Sequence, residues 1–383
     1  MIASSASYSL TVLFRLARLF RVAYALPLAV LGVLLQPSLV LEAQTGAQPR
    51  AHVELSSAPL LRLPGAVDSN SPAVWEQVDG WNLLFVMTSI NGQPSTASGR
   101  AFSSLGQPRV ATVEPWPGGG VWMEAIVKDD DGTWYGYYHN ENRANMCRGT
   151  DKVIPRIGAA RSRDLGATWE PLGVILEAPP RSYDCTTDNE YFVGGVGDFS
   201  VQLDARSQDL YFFYSLYLRE ASAQGVGVAR LAWADRDDPS GKIMVWRNPS
   251  WLPALNVGRT KGVWVYPAAS PLFPTTQPWH DDNPAVNAYW GPSVHWNTHL
   301  SRYVMLLNRA EDAGYTQEGI YVSSVSSLEN PGAWSQPVKI LDGGRWYPQV
   351  FGLEDGSGTD KTAGAVARLF MLGRSQHFIR FVR

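Results

Sequence analysis

Short runs of β-branched and aromatic residues alternate with turn residues along most of this chain. Residues 194–204 give a glycine-loosened approach, one carboxylate (Asp198) and a short apolar strand. A polar turn and a second, aromatic strand at 210–217 follow. This pattern predicts a β-hairpin, because strand formers broken by Asp, Ser and Gly favour strand–turn–strand. The unit recurs. Residues 72–75 lead through Val78, Asp79 and Gly80 to 81–88, and residues 121–127 lead through Asp130, Asp131 and Gly132 to 134–139. Residues 292–296 lead through Asn297 to 303–307, and 347–351 lead through a Gly/Asp-rich turn to 367–371. That makes five units.

Several units extend further. Unit two continues at 157–161, passes the turn 162–169 and ends in 173–176; unit four runs 318–324, a turn at 330–334, then 338–341. Unit three adds 226–233 and 242–246. The strand candidate at 52–55 suits an outer strand completing the last sheet, which removes an exposed edge. The reading is therefore all-β: a five-bladed β-propeller of four-stranded antiparallel blades over 44–383, with irregular inserts. The longest insert, 248–290, is rich in Pro and Trp and suits a binding face. Composition agrees, with 15 Trp, 16 Tyr, 35 Gly and 26 Pro against only 17% charged residues. A net charge of −3 gives no electrostatic reason for a nucleic-acid partner.

Residues 1–43 are different in kind. Arg15, Arg18 and Arg21 precede an apolar run over 22–41, and Leu41, Glu42 and Ala43 offer a small-residue cleavage point. The segment reads as a signal peptide or a membrane anchor of an exported protein, secreted or periplasmic. The chain has two cysteines, Cys147 and Cys185. They form either a disulfide, as export permits, or two free thiols.

Ser162, Asp164, Gly166, Thr168 and Trp169 match the Asp-box of sialidase-like propellers, a turn that ties outer strands and carries no catalysis. Arg161, Arg230 and Arg309 are spaced like equivalent blade positions but sit on later strands, so a sialidase-like enzyme ranks as the weakest alternative, behind a non-catalytic carbohydrate- or protein-binding propeller. Five hairpin units with acidic residues near inner-strand starts resemble the five-bladed propeller glycosidases: arabinanases, β-xylosidases and invertases. That resemblance implies an Asp on the first blade, a second Asp on a later one, and a Glu as acid beyond it. Asp68 and Asp198 match the first two positions. The fourth inner strand begins Trp290, Gly291, Pro292 with no Glu, so the acid falls to Glu124 or Glu318.

Three carboxylates are thus the catalytic candidates: Asp68, Glu124 and Asp198. In a propeller the first strands line the axis, so residues at one end of them converge. Glycoside cleavage needs one carboxyl to protonate the leaving oxygen and another to activate water or attack the sugar. Glu124, flanked by Trp122 and Met123, is placed to have a raised pKa and act as acid. Asp198, among glycines, is expected to be kept ionised by backbone amides. Asp68 is the candidate base. His139, Trp122, Trp290, His295, Glu318 and Tyr347 are the substrate-binding candidates, the aromatics by stacking on sugar rings. Asp129 to Gly132 read as a hairpin turn. No metal and no cofactor are expected, and carbohydrate is the expected partner. A Gly-rich phosphate loop, a Gly-x-Ser-x-Gly elbow and a His-Glu-x-x-His pair do not occur in the sequence.

Overall fold

The structure, a computed structural model, describes residues 50–258, 262–277, 279–280 and 286–383. The 1–43 signal or anchor expectation therefore lies outside the described residues. Five antiparallel sheets follow one another along the chain. Blade 1 holds Ala73–Val78, Trp81–Ile90, Gln93–Gly99 and Arg109–Val110. Blade 2 holds Gly120–Lys128, Trp134–Arg143, Val153–Ser162 and Thr168–Leu176, with Thr112–Val113 added in parallel outside. Blade 3 holds Val196–Asp204, Asp209–Leu216, Gly225–Ala232, Met244–Arg247 and a fifth strand, Ser250–Pro253. Blade 4 holds Tyr289–Asn297, Arg302–Ala310, Gln317–Val325 and Val338–Asp342. Blade 5 holds Gln349–Gly352, Val366–Met371 and Arg374–Val382, and His52–Arg62 pairs antiparallel with the last of these. The N-terminal strand thus closes the ring, as the pattern at 52–55 suggested.

These strands form because both faces of each sheet are covered by neighbouring blades. Leu210 to Tyr214 are wholly buried, a continuous apolar run rather than an alternating one. One apolar cluster fills each gap. Met87 meets Trp134 between blades 1 and 2, and Tyr137 meets Phe212 edge-on at 4.9 Å between blades 2 and 3. Phe213 lies with Met305 between blades 3 and 4, Leu306 with Leu369 between blades 4 and 5, and Phe370 with Val86 between blades 5 and 1. Truncating one such ring, Phe212→Ala, costs about 3–5 kcal/mol in comparable cores.

Polar bonds repeat at the same seams. In each gap a side chain of one blade accepts a backbone N–H from the start of the next inner strand. Ser89 Oγ takes Met123 N at 3.0 Å, His139 Nδ1 takes Asp198 N at 3.0 Å, and Ser215 Oγ takes Gly291 N at 2.9 Å. Asn308 Oδ1 takes Tyr347 N at 3.0 Å, and Gln349 Oε1 takes Ser71 N at 2.8 Å to close the circle. The turn 162–169 is tied by its own side chains: Asp164 accepts from Thr168 N at 2.8 Å, Ser162 Oγ accepts from Gly166 N at 3.0 Å, and Trp169 is buried beneath. Asp129 N donates to Thr133 O at 2.8 Å across the hairpin turn expected there.

Cys147 and Cys185 are joined in a disulfide with Cα atoms 5.2 Å apart, which resolves the alternative left open by the sequence. The insert after residue 248 does more than shape a face. It supplies the fifth strand of blade 3 and then a small hairpin, Leu255–Asn256 with Trp264–Val265.

Candidate active site

The inner strands begin with an irregularity that aims side chains at the axis. In blade 2 the ladder slips between Met123 and Ala125, and in blade 3 between Gly197 and Phe199, so Glu124 and Asp198 are bulged residues. A bulge re-aims a side chain out of the ladder. Asp198 adopts φ +41°, and the starts of blades 4 and 5, Gly291 and Tyr347, adopt +56° and +55°. For Asp and Tyr this left-handed conformation is a strained one, held by the surrounding hydrogen bonds. Gly197 has no tolerance for a side chain, because a Cβ there would lie 2.3 Å from His139 Nδ1. Asn70 closes the axis: its amide donates to Phe199 O at 2.9 Å and Pro292 O at 3.2 Å, bridging from the approach to blade 1 onto blades 3 and 4.

Glu124, His139 and Asp198 meet there, buried, with one donor atom of each within 4.8 Å of the others. Glu124 Oε2 accepts the Phe199 N–H at 2.6 Å, while Oε1 is buried with no partner. Burial, then the Asp198 carboxylate, hold the Glu124 pKa well above the usual range. An unpartnered buried carboxyl oxygen is costly as an anion and acceptable as an acid. Asp198 accepts from the hydroxyls of Tyr217 and, at 3.1 Å, Tyr347. The expectation that backbone amides favour the Asp198 anion is therefore corrected: tyrosine hydroxyls and His139 do so. Its pKa is raised by burial, and the groups opposing that rise are His139 and the two tyrosines.

His139 satisfies both its nitrogens as a neutral ring: Nδ1 accepts from Asp198 N, and Nε2–H faces Glu141 Oε1 at 3.2 Å. That tautomer is assigned from the bonding pattern. Burial draws the His139 pKa down; the Asp198, Glu141 and Glu124 carboxylates, all ionised, would push it up to about 9, and a protonated Glu124 withdraws its share, in keeping with the neutral ring. A ring taking its second proton must give up the Asp198 N–H and turn to the Asp198 carboxylate, 3.6 Å away. Glu124, His139 and Asp198 also have the spacing of three metal ligands. Both imidazole nitrogens are committed already, so ligation would break one of those bonds.

Asp68 stands half-buried above this group, with its N–H on Ser89 O at 2.8 Å. Burial, then Asp198 and Glu141, push its pKa up to about 6. Trp122 lies edge-on to His139 at 5.6 Å, and Trp290 packs 5.6 Å from Tyr347. Beside them Phe192, Tyr217, Trp279, Tyr315 and Trp346 make a continuous aromatic wall, with Tyr191 exposed at its rim.

Two expected binding residues lie elsewhere. His295 is wholly buried in blade 4 with its ring 5.4 Å from Phe381, and burial lowers its pKa to about 3. Glu318 sits on the third strand of blade 4, paired with Lys339 and accepting from Tyr321 at 2.6 Å. Its neighbours explain it as part of a surface ion network. Arg309 joins this network through Tyr321 and Glu318, while Arg161 and Arg230 pair elsewhere with Glu170 and Asp209. Tyr217, Glu141 and Asn70 escaped the sequence reading. Glu141 had a signal, since it lies two residues after His139 and so on the same strand face. Tyr217 reads only as the end of an aromatic strand, and Asn70 as a turn residue.

No family model and no curated protein sequence matches the chain. Solved structures do resemble it. An endo-arabinase from Bacteroides thetaiotaomicron aligns with 12% identity over 84% of this chain and 97% of that one, with a TM-score of 0.46. An α-L-arabinofuranosidase from Lactobacillus brevis aligns with 13% identity over 81% of this chain and 89% of that one, at 0.45. An α-L-arabinanase from Penicillium chrysogenum, complexed with arabinobiose, aligns with 12% identity over 83% of this chain and 84% of that one, at 0.45. At these identities no residue role is carried across.

Proposed function

We propose that this chain is a glycoside hydrolase acting on a poly- or oligosaccharide with carboxylates at the propeller axis. One observation carries the reading: Glu124 is a buried seam carboxyl with no Lys or Arg partner among the described residues and one oxygen unbonded, where the other buried seam carboxylates, Asp360 (accepting Ala73 N at 2.9 Å) and Glu76, are paired with Lys361 and Lys128. The scaffold does not need a buried Glu there, so its burial calls for another reason. Glu124, protonated by its surroundings, is the general acid. Glu124 and Asp198 each bring an oxygen within 4.8 Å of the other, and after burial the Asp198 carboxylate does most to raise the Glu124 pKa. Asp198 therefore acts on Glu124, as the neighbouring negative charge that keeps its proton on. Asp68, half-buried at the mouth, is the second working carboxylate, activating water or attacking the sugar. Substrate enters past Asp68, Glu141 and Tyr191.

The burial of Glu124 and Asp198 also favours a second reading, a carbohydrate- or protein-binding propeller without turnover. One experiment separates the two. Residues 44–383 are assayed on aryl glycosides, arabinan, xylan and fructan beside Glu124→Gln and Asp198→Asn. Turnover lost in Glu124→Gln and weakened in Asp198→Asn supports hydrolysis; activity indifferent to both overturns the site; binding without turnover in the parent favours the second reading. Export completes the proposal. A 1–43 leader and a disulfide suit an oxidising compartment. Mass spectrometry of the mature N-terminus after expression of the full chain tests it.

A further inference from the structure

A second candidate site lies at the outer junction of blades 5 and 1. The closing strand His52–Arg62 leaves its ladder there. Ser57 pairs with His377 and Leu61 with Ser375, so three residues of one strand oppose one of the other. The excess lifts Pro59 and Leu60 away from the sheet and opens a cavity of about 670 Å³ beneath them. That volume falls in the range of small-molecule sites. Leu60, Leu61, Trp75, Phe102, Leu353 and Phe378 make its walls apolar. Leu60 and Leu353 are 49% and 47% exposed, so the walls reach solvent.

One charge is set into this apolar surface. Arg368, on the strand Val366–Met371, is only 7% exposed and lines the cavity. Its Nη2 donates to the carbonyls of Pro59 and Ser375, its guanidinium lies 5.0 Å from the Phe378 ring centre, and its Nε is buried with no partner. Burial draws its pKa down, and no carboxylate acts to raise it. The backbone carbonyls account for the bulge but leave the charge uncompensated, and a buried unpaired cation is among the costlier features a fold can keep. The other charged groups of the cavity are Arg100, stacked 3.7 Å over Trp81, and the exposed pair Glu354 and Asp355.

We propose that this cavity binds a small amphiphilic carboxylate, its acid group on the Arg368 guanidinium and its aliphatic body along Leu60, Phe102, Leu353 and Phe378. Guanidinium and carboxylate match in geometry as well as charge, and the bound acid supplies the counter-charge that the carbonyls do not. The site is separate from the axial carboxylates and does not depend on what they do.

The probes are octanoate and octanol, titrated calorimetrically into the purified full chain, with the change in total tryptophan emission, lost in Trp75→Phe, as a second readout. Octanoate is expected to bind at least about tenfold more tightly than octanol, in keeping with a charge-assisted bond to a buried cation. Arg368→Gln should bring octanoate down to the affinity of octanol, while Leu353→Asp, on an exposed wall, should weaken both. If Arg368→Gln fails to fold, the octanoate-to-octanol ratio of the parent and the Leu353→Asp result decide the matter. Equal affinities for the two probes, octanoate binding unchanged in a folded Arg368→Gln, or no binding of either probe at millimolar concentration would overturn the proposal.

Discussion

Two neighbouring seams of the ring solve one problem with different chemistry. Between blades 3 and 4, Ser215 and Ser200 accept the N–H groups of Gly291 and Val294 at 2.9 and 3.0 Å. Between blades 2 and 3, His139 and Glu124 accept those of Asp198 and Phe199 at 3.0 and 2.6 Å. A hydroxyl does this work at no electrostatic cost. An imidazole and a carboxyl do it only by being buried, which displaces their proton affinities. The contrast separates what the ring needs in order to close from what the axis holds in addition.

The strongest way to break the comparison is Glu124→Gln. Glutamine keeps the acceptor for Phe199 N–H, so the thermal midpoint should hardly move, while kcat should fall about 10²–10⁴-fold if Glu124 is the general acid. A fall in stability without a fall in turnover would return Glu124 to the scaffold. The converse change is Ser200→Ala. It strands the Val294 N–H in a buried seam and should cost about 1–3 kcal/mol in denaturant unfolding, leaving kcat/KM untouched.

Proton affinity sharpens the contrast. With Asp68 needed as an anion, kcat/KM should rise with pH through about 6. Asp198→Asn removes the negative charge beside Glu124, so the alkaline limb should move to lower pH. Stability carries its own sign. The native Asp68 holds its proton up to about pH 6, whereas a free carboxyl releases it near 3.8. Its contribution is therefore complete below pH 3.8 and is lost as pH rises through about 6. Asp68→Asn should flatten the melting temperature over that interval; an unchanged slope would place Asp68 in solvent. The smallest effect expected is that of Asp164→Ala at the rim turn, about 1 kcal/mol of stability with activity retained.

The five hairpins, their inner-to-outer order and the closing strand were all legible, because a strand buried on both faces leaves an unbroken apolar run between turn residues. Local pattern also drew attention to Asp68, Glu124, Asp198 and His139. It misjudged His295 and Glu318, which share the residue types but face a blade interior and an outer ion network. Side-chain direction at a strand start depends on bulges, and a bulge has no periodic signature.

Amino-acid order alone determined how many sheets form and where each begins, since turn chemistry and apolar runs act over a few residues. Ring closure decided the rest. Residues as distant as Asp68 and Tyr347 share one axis only because the last blade takes back the first strand. There Tyr217 and Tyr347 find Asp198, and Glu124 loses its water. Proton affinity is set by such neighbours and by burial, and both are properties of the assembled ring.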